Sequence, residues 1–426
     1  MTSRRLMLAL TVAGASVASA GAARAASSPQ GQSALDPTLP ASVISASFAP
    51  GSRWKPERAV YGTASVNDIP VTMRDGTVLR VNVIYPTDPK TGKEAAGPFP
   101  VLLTQTPYGK GSGGSSSPGS AQAPGGGAAT GGADDYLAQR GYIEVVADVR
   151  GTGDSGGSWG LFDPEQTSDG ITLVHWAAHL SHSDGRIGTY GPSYLGINQL
   201  LLAGRIGRGS PLKAIFPMVS ANDIYKDTAF MGGLIDTEFG EAYLGLTAAG
   251  NTADPVSDRL TSPPRSAGDA GSSVAVEASH VAGLLNYHAA FSAETLAGGP
   301  TAYEGQYWAA RQPGSLLAEI VANGIPAYLV GGEFDIFQRG EPLNYAGLQN
   351  AWSHRPATAP MRAGQPVTGR YQLIDGPWEH LNGSSVVVDE LELAWYDQWL
   401  KGENTGIGST PTPLHYFDTG TGRWDE

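Results

Sequence analysis

Short apolar runs alternate with helix-like patterns along most of the chain. The apolar runs read PVLLTQTPY, YIEVVADVR, RIGTYGPS, LKAIFPMVS, PAYLVGGEFD and RYQLIDGPW. The helix-like stretches read DGITLVHWAAHL, SYLGINQLLLAG, EPLNYAGLQNAW and VVVDELELAWYDQWLKG. Apolar strands that alternate with helices are typical of a mostly parallel sheet covered by helices on both faces. The pattern therefore predicts an α/β fold.

Three segments depart from this alternation. The stretch VTMRDGTVLRVNVIYP has a period of two around Asp75 and Gly76, which predicts a β-hairpin. Residues 111–132 are rich in glycine, serine and alanine and cannot contribute a core, so we expect a flexible surface loop. Residues 221–319 have helical patches without the strand alternation, and we expect an inserted helical cap over the sheet.

These segments divide the chain into domains. The α/β core is expected in two parts, residues 57–220 and residues 320–402, with the cap between them. Residues 26–56 are rich in serine, proline and alanine and are expected to form an extended leader. With 426 residues the chain is long enough for one large domain with an insertion, or for two domains.

The first 25 residues have the features of a signal peptide. Arg4 and Arg5 precede LMLALTVAGASVASA, which is short for a bilayer span, and residues 23–25 read Ala-Arg-Ala, a small-x-small cleavage site. We therefore expect export to the periplasm, the cell surface or the medium. No stable membrane insertion is expected once the signal is removed.

Composition narrows the classes of partner. The chain has 27 basic and 40 acidic residues, and its net charge of −13 argues against a nucleic acid or an anionic membrane as partner. It has no cysteine, which excludes a disulfide framework, a thiolate nucleophile and a cysteine-based metal site.

Ser193 is a candidate nucleophile. It lies between the predicted strand RIGTY and the predicted helix YLGINQLLLAG, the strand–turn–helix context that exposes a serine hydroxyl above a sheet. In the pattern Gly-x-Ser-x-Gly the second glycine follows two residues after serine, where this chain has Leu195, and Gly196 comes one residue later. The spacing alone supports a nucleophile and a structural turn serine equally.

A catalytic serine needs a base and an acid that orients it. In folds of this type they follow the serine in the order Asp or Glu, then His, each just past a strand. Asp335 follows the run PAYLVGGEF, and His380 follows RYQLIDGPWE. The competing interpretations are a helix N-cap for Asp335 and a surface-loop histidine for His380. Order and position together favour a Ser–Asp–His triad.

Two other patterns point to cofactor or metal chemistry. Gly151-Thr152-Gly153-Asp154-Ser155-Gly156 fits Gly-x-Gly-x-x-Gly, but the residues that follow, GSWGLFDPE, are not those of the helix that a dinucleotide site requires. His175 and His179 have the spacing of a zinc helix, but Trp176 stands where the glutamate of that motif belongs. We therefore expect no cofactor and no metal.

From about residue 62 onward, the chain resembles the serine hydrolases of the cocaine esterase, α-amino-acid ester hydrolase and X-Pro dipeptidyl-peptidase group. The resemblance rests on blocks in the same order: VTMRDGTVLRVNVIYP, TPYGK, YIEVVADVRGTGDSGGSW, DGRIGTYGPSYLG, GGEFDIF, DGPWEH and WYDQWLKGENTGI. Members of this family have the α/β-hydrolase fold. Their serine lies in Gly-x-Ser-Tyr-x-Gly, which fits the glycine at position 196.

The resemblance implies roles for individual residues. Ser193 would be the nucleophile, Asp335 the acid and His380 the base. The Tyr108 hydroxyl and the backbone N–H of Tyr194 would stabilise the oxyanion. The implied activity is that of a secreted serine hydrolase, an acyl esterase or an X-Pro dipeptidyl-peptidase-like enzyme, which cleaves small esters, amides or short peptides through an acyl-enzyme.

Two points stay open at this stage. The family carries a C-terminal jelly-roll β-domain, and residues 403–426 resemble its first strands, so we expect this β-domain to be truncated. The alternative function is a non-catalytic or weakly active binding protein on a truncated hydrolase scaffold. A peptidase would need acidic groups for a free α-amino group, and Asp236, Glu238 and Glu241 are either those groups or a solvated helix face.

Overall fold

The structure is a computed structural model that describes residues 39–110, 135–261, 267–383, 386 and 388–426. The expected signal peptide, the first part of the expected leader and the loop predicted at residues 111–132 lie outside the described residues.

A ten-stranded sheet runs through the described part of the chain in the order β1-β2-β4-β3-β5-β6-β9-β10-β11-β12. Its strands are β1 (Gly62–Thr72), β2 (Val78–Thr87), β3 (Phe99–Thr106), β4 (Ile143–Asp148), β5 (Ser183–Pro192), β6 (Leu212–Met218), β9 (Ala327–Gly332), β10 (Tyr371–Gly376), β11 (Leu414–Asp418) and β12 (Arg423–Asp425). The seven neighbouring strands β4, β3, β5, β6, β9, β10 and β11 are parallel to one another. Strands β1, β2 and β12 are antiparallel to their neighbours. The predicted mostly parallel sheet, its six buried strands and the β1–β2 hairpin are confirmed. The short strands β7 (Phe230–Met231) and β8 (Leu234–Ile235) form a separate hairpin.

The helices of the described residues lie mostly between these strands. The α-helices are α1 (Ala41–Ala46), α2 (Asp135–Ala138), α3 (Pro164–Ala177), α4 (Tyr194–Arg205), α5 (Gly240–Thr261), α6 (Ala267–Gly283), α7 (Ala290–Leu296), α8 (Gln306–Ala309), α9 (Leu317–Asn323), α10 (Gly340–Trp352), α11 (His380–Gly383) and α12 (Asp389–Tyr396). Turns of π-helix cover Tyr225–Ala229, Leu284–Ala289 and Asp397–Lys401, and 3₁₀ turns cover Pro300–Ala302, Pro313–Leu316 and Ile407–Ser409. Of the helices described, none is long and apolar enough to cross a lipid bilayer.

Helices cover both faces of the sheet. All eight residues of β3 are buried, because successive side chains of a strand point to opposite faces and both faces are covered. Leu103 packs in one core with Leu200 of α4, whereas Leu102 packs in the other core with Trp395 and Tyr396 of α12. Burial on both sides is why the strands read as continuous apolar runs.

Helix α1 lies inside the segment that was expected to be extended. Leu39 and Val43 are buried in the same core as α12, and the Ser47 hydroxyl donates to the Val43 carbonyl oxygen at 3.0 Å. The Tyr328 hydroxyl of β9 donates in turn to the Ser47 hydroxyl at 3.2 Å. The helix is therefore stabilised by contacts with the sheet, which the local composition does not encode.

Strands β11 and β12 lie in residues 403–426, which were expected to be the first strands of a truncated β-domain. Strand β11 pairs in parallel with β10 and extends the main sheet. The Trp424 ring of β12 lies 5.8 Å from that of Trp378, which follows β10. The apolar run PLHYF would look the same in the sequence as a strand of the main sheet or as a strand of another domain. Only its pairing with β10 shows which of the two it is.

Between β6 and β9 the described chain contributes no strand to the main sheet. It contains the π turn Tyr225–Ala229, the β7–β8 hairpin and helices α5 to α8. The His280 ring of α6 contacts the Ser155 carbonyl oxygen at 2.8 Å, which ties these helices to the loop after β4.

A glycine pair tests how closely the helix layer fits the sheet. A Cβ atom at Gly188 of β5 would lie 2.6 Å from the Tyr396 ring, whereas one at Gly245 of α5 would meet nothing within 4 Å. We expect Gly188→Ala to lower the free energy of unfolding by about 1–3 kcal/mol through overpacking. Gly245→Ala should raise it by about 0.5–1 kcal/mol, because alanine loses less backbone entropy in a helix.

Urea unfolding curves of both variants and the wild type would measure this difference. Equal midpoints for the two variants would contradict the close packing of α12 on β5.

Candidate active site

Ser193 lies at the turn between β5 and α4 in a backbone conformation that is rare for a residue with a side chain. Its φ is +59° and its ψ is −122°, and its N–H donates to the Met218 carbonyl oxygen of β6 at 2.9 Å. Conformations of this kind cost about 1–3 kcal/mol and persist only where the surrounding structure holds them. The turn places the Ser193 side chain beside His380.

The glycines around Ser193 allow the turn to pack tightly. Gly191 has φ +120°, and a Cβ atom there would lie 2.9 Å from the Cβ atom of Leu195. A Cβ atom at Gly196 would lie 2.7 Å from the Met218 carbonyl oxygen. Helix α4 therefore approaches β6 at Gly196, which places the second glycine three residues after the serine. Leu195 is buried in the core instead.

Ser193, His380 and Asp335 form one hydrogen-bonded chain. The Nε2 atom of His380 lies 2.9 Å from the Ser193 Oγ atom, and its Nδ1 atom lies 2.8 Å from the Asp335 Oδ2 atom. Asp335 follows β9 and His380 follows β10, so the sheet brings them together across 45 residues of sequence. The His380 and Phe337 rings are also perpendicular to each other, with centroids 5.2 Å apart.

Asp335 combines this contact with a role in the local turn. Its Oδ1 atom accepts the Phe337 N–H at 2.5 Å, while its Oδ2 atom faces His380. Helix α10 begins only at Gly340, so the carboxylate closes a turn before the helix and does not cap it. The turn fixes the rotamer of a side chain that is almost fully buried.

Tyr108, two residues after β3, has its hydroxyl near the serine. The hydroxyl lies 3.3 Å from that of Tyr243, and it also hydrogen-bonds with Ser193. Burial raises the pKa of Tyr108 above the ordinary value of a tyrosine, and these two hydrogen bonds only partly oppose this shift. The phenol is therefore neutral at physiological pH and is able to donate a proton in a hydrogen bond.

The backbone N–H of Tyr194 lies at the amino end of α4, whereas its side chain packs against other residues. The residue begins α4, so its N–H is one of the amides at the amino end of that helix, which carry no intrahelical partner. Its hydroxyl donates to the Gln166 Oε1 atom at 2.5 Å, and its ring stacks on Phe162 with centroids 4.2 Å apart. Burial raises the pKa of this hydroxyl as well.

A cavity opens beside Ser193. Its described lining is aromatic or aliphatic apart from a few hydroxyls and carries no charge: Leu161, Phe162, Ser193, Tyr194, Ile197, Ile224, Thr228, Ala229, Phe239, Gly240, Tyr243, Leu244, Phe291, Trp308 and Phe337. The buried Thr228 hydroxyl has no hydrogen-bond partner in the described structure. Nine of the fifteen lining residues lie between β6 and β9, so that segment shapes the space in front of the serine.

The three acidic residues that could have bound the α-amino group of a peptide do not line the cavity. Asp236 accepts the N–H groups of Glu238 at 3.1 Å and Phe239 at 3.0 Å. Glu241 accepts the Ser292 hydroxyl at 3.1 Å. None of the three acids belongs to the described lining of the cavity.

The aromatic side chains of this wall, including Tyr243, Phe291 and Trp308, were not predicted from the sequence. They fall in helical stretches without a motif, where an aromatic residue is more often part of a core. The closely spaced aromatic residues Tyr303, Tyr307 and Trp308 were the one local signal, and this spacing does not distinguish a pocket from a core.

The two patterns considered for cofactors have structural explanations. A Cβ atom at Gly151 would lie 2.0 Å from the Trp159 backbone nitrogen, and one at Gly153 would lie 2.2 Å from the Asp148 carboxylate. His179 uses its Nδ1 atom in a 2.7 Å contact with the His175 carbonyl oxygen. Within the described ranges, no three histidine or acidic side chains are grouped so that they could hold a metal ion.

Two further carboxyl groups are buried close to Asp335. Burial raises the pKa of Glu341 to about 8, although the N–H and the hydroxyl of Ser220 both donate to it. Burial and the negative charges of Glu333 and Asp335 raise the pKa of Asp375 to about 7. The Asp375 Oδ1 atom has no hydrogen-bond partner in the described structure.

The raised pKa of Asp375 predicts a pH-dependent stability. Its folded pKa of about 7 exceeds the ordinary value of 3.8, so ionisation opposes folding increasingly from pH 4 to 7 and by a constant amount above that. Asp375→Asn removes this penalty, and we expect the variant to be more stable than the wild type by about 2–4 kcal/mol at pH 8. At pH 4 the two should be equal.

Chemical unfolding at both pH values would measure this, with the exposed Asp425→Asn as the control. A stability difference that is the same at pH 4 and pH 8 would contradict a buried, neutralised Asp375.

Comparison with known proteins identifies the family. The model of the X-Pro dipeptidyl-peptidase (S15) family matches residues 75–382. A protein of Mycobacterium bovis named as a serine esterase is 27% identical, over 83% of this chain and 59% of its own length. The cocaine esterase of a Rhodococcus species is 25% identical, over 85% of this chain and 59% of its own length.

Solved structures show the same fold. An α-amino acid ester hydrolase superposes with a TM-score of 0.59 at 19% identity, covering 88% of this chain and 60% of that one. A CocE/NonD family hydrolase from Staphylococcus aureus gives 0.57 at 22% identity, covering 85% and 56%. The chain thus spans about three fifths of the length of its curated relatives. It has the α/β-hydrolase fold, and it belongs to the X-Pro dipeptidyl-peptidase (S15) family of hydrolases.

Proposed function

We propose that this chain is an exported serine esterase that transfers an apolar acyl group to Ser193 and then to water. The observation that carries the proposal is the Ser193–His380–Asp335 hydrogen-bonded chain beside an uncharged, aromatic cavity. Export is inferred from the features of the first 25 residues.

In the proposed mechanism, His380 Nε2 takes the proton of Ser193 as the Oγ atom attacks the carbonyl carbon of the ester. Asp335 holds the other ring nitrogen and stabilises the imidazolium that forms. The imidazolium then gives its proton to the departing alcohol, and the acyl group stays on the serine. A water molecule, activated by His380 in the same way, releases the acid and restores the enzyme.

The tetrahedral intermediate places a negative charge on the former carbonyl oxygen. The Tyr108 hydroxyl and the Tyr194 N–H are the proposed donors, and one such donor is worth about 3–4 kcal/mol. Burial supports the role of Tyr108, since a phenol with a raised pKa keeps the proton that it donates. The contact with Tyr243 limits the directions in which that hydroxyl points.

The cavity favours esters of apolar acids over X-Pro peptides. A dipeptidyl-peptidase substrate carries a free ammonium group, and burial of an unpaired ammonium costs several kcal/mol. The described lining offers no carboxylate to such a group, whereas its aromatic rings suit an aryl or branched acyl chain. Chemistry at the serine would be the same for both substrate classes, so the cavity decides between them.

Labelling with a fluorophosphonate probe tests the nucleophile. We expect the wild type to bind the probe covalently and Ser193→Ala to bind none. Because His380 serves as base in both halves of the reaction, His380→Ala should lower kcat by about 10⁴-fold or more with little change in folding. His175→Ala, on the exposed side of α3, is the control and should keep wild-type turnover. Labelling that persists in Ser193→Ala would contradict the proposed nucleophile, and a wild type that binds no probe would favour a binding protein.

A matched pair of substrates tests the acyl site. Methyl phenylacetate and methyl phenylglycinate differ by a single ammonium group on the acyl chain. We expect kcat/KM to be higher for phenylacetate by about 10- to 100-fold, because the ammonium group would be buried without a partner. The control is the ratio of the two rates in alkaline hydrolysis without enzyme. A preference for the amino ester would show that acidic groups reach the site, as a peptidase requires.

A further inference from the structure

Lys110 is a buried cation that the mechanism does not use. Its side chain is only 5% exposed, and its Nζ atom contacts the carboxylates of Asp154 at 2.7 Å, Asp68 at 2.8 Å and Asp148 at 3.2 Å. Burial by itself would lower the pKa of Lys110, but the attraction of these three carboxylates outweighs burial and raises the pKa. The side chain is therefore an ammonium ion throughout the physiological range, and it does not belong to the described lining of the cavity.

The three carboxylates come from separate parts of the fold. Asp148 is the last residue of β4 and is fully buried, and Asp154 lies in the loop that follows it. Asp68 lies at the irregularity in β1, where its φ is +61° and its N–H donates to Asn82. Lys110 thus joins the hairpin, the end of β4 and the following loop at a single atom.

The backbone around Lys110 is fixed at two points. The Lys110 N–H donates to the Asp148 Oδ1 atom at 2.5 Å, and the Tyr108 N–H donates to the Thr106 Oγ1 atom at 3.0 Å. Only Gly109 lies between the two anchored residues, with φ +88°. The path of the chain at Tyr108 is therefore set on one side by the end of β3 and on the other by the contacts of Lys110.

Space for this arrangement comes from Gly153. Its missing side chain leaves room for the Asp148 carboxylate, whose Oδ2 atom also accepts the Asp154 N–H at 3.1 Å. Asp148 thus contacts Lys110 through both carboxylate oxygens, once at the backbone and once at the ammonium group. A carboxylate with two hydrogen bonds to one residue restricts both the position and the orientation of that residue.

We propose that Lys110 is a positioning residue that holds the Tyr108 hydroxyl at the distance from Ser193 at which it stabilises the oxyanion. The inference rests on the proposed function, in which Tyr108 is an oxyanion donor. Such donors act over a narrow range of distance, and a displacement of about 1 Å can lower turnover about 100-fold. Lys110 acts only through Tyr108 and touches no reacting atom.

A double-mutant cycle tests this role. We expect Tyr108→Phe to lower kcat about 100- to 1000-fold, as for other single oxyanion donors. Lys110→Met should lower kcat about 10- to 100-fold with KM nearly unchanged, because the donor acts in the transition state and not on bound substrate. In the Tyr108→Phe background, Lys110→Met should cause no further loss. Turnover is taken per active site titrated with the fluorophosphonate probe, which counts only folded enzyme.

Two further variants separate positioning from general stability. Asp68→Asn removes one carboxylate that is half exposed and leaves Asp148 paired, so it should fold and should show a smaller loss of kcat that also disappears in Tyr108→Phe. Lys401→Met is the matched control, because Lys401 is partly buried and binds Glu57 at 2.7 Å and Asp397 at 3.0 Å, without a contact to the Tyr108 loop. It should lower stability without changing kcat per titrated site.

The outcomes distinguish the two levels of the proposal. Wild-type kcat in Tyr108→Phe would overturn the oxyanion role of Tyr108, and the role of Lys110 with it. A large effect of Tyr108→Phe that multiplies with those of Lys110→Met and Asp68→Asn would leave Tyr108 as a donor and overturn positioning by Lys110. If Lys110→Met does not fold, the cycle with Asp68→Asn decides.

Discussion

Burial of parallel strands on both faces is the constraint on which the rest of this structure depends. A parallel strand can follow another only after the chain has crossed over the sheet, and here helices make most of these crossings. The carboxyl ends of all such strands consequently lie at one edge. Tyr108 follows β3, Ser193 follows β5, Asp335 follows β9 and His380 follows β10. Side chains that are distant in sequence meet at this edge because each of them closely follows a strand that ends there.

The same edge concentrates buried charge, and the structure handles it in two ways. On one side a single ammonium group, Lys110, is shared by three carboxylates, so attraction offsets the cost of burial. On the other side Glu341 and Asp375 have no cation, and burial raises the pKa of each towards or above neutrality. Asp335 lies near these two acids and is paired instead with His380.

Much of the fold was predictable because its signals are local. The apolar runs predicted β3, β4, β5, β6, β9 and β10, and the turn residues Asp75 and Gly76 predicted the first hairpin. The places of α1 and β11 were not predictable, since each depends on a distant partner: the face of the sheet for α1 and the free edge of β10 for β11. A short segment carries too little pattern to specify which surface it will meet.

The sequence by itself indicated the main strands, their order and the candidate residues of a Ser–Asp–His triad, because periodicity, turn residues and side-chain type are properties of neighbouring positions. Only the tertiary structure decided how those residues meet. It gave the distances from His380 to Ser193 and Asp335, the assembly of the aromatic wall from the segment between β6 and β9, and the three contacts of Lys110. These depend on contacts across tens to hundreds of residues, and the free energy of such contacts comes from packing that no local pattern records.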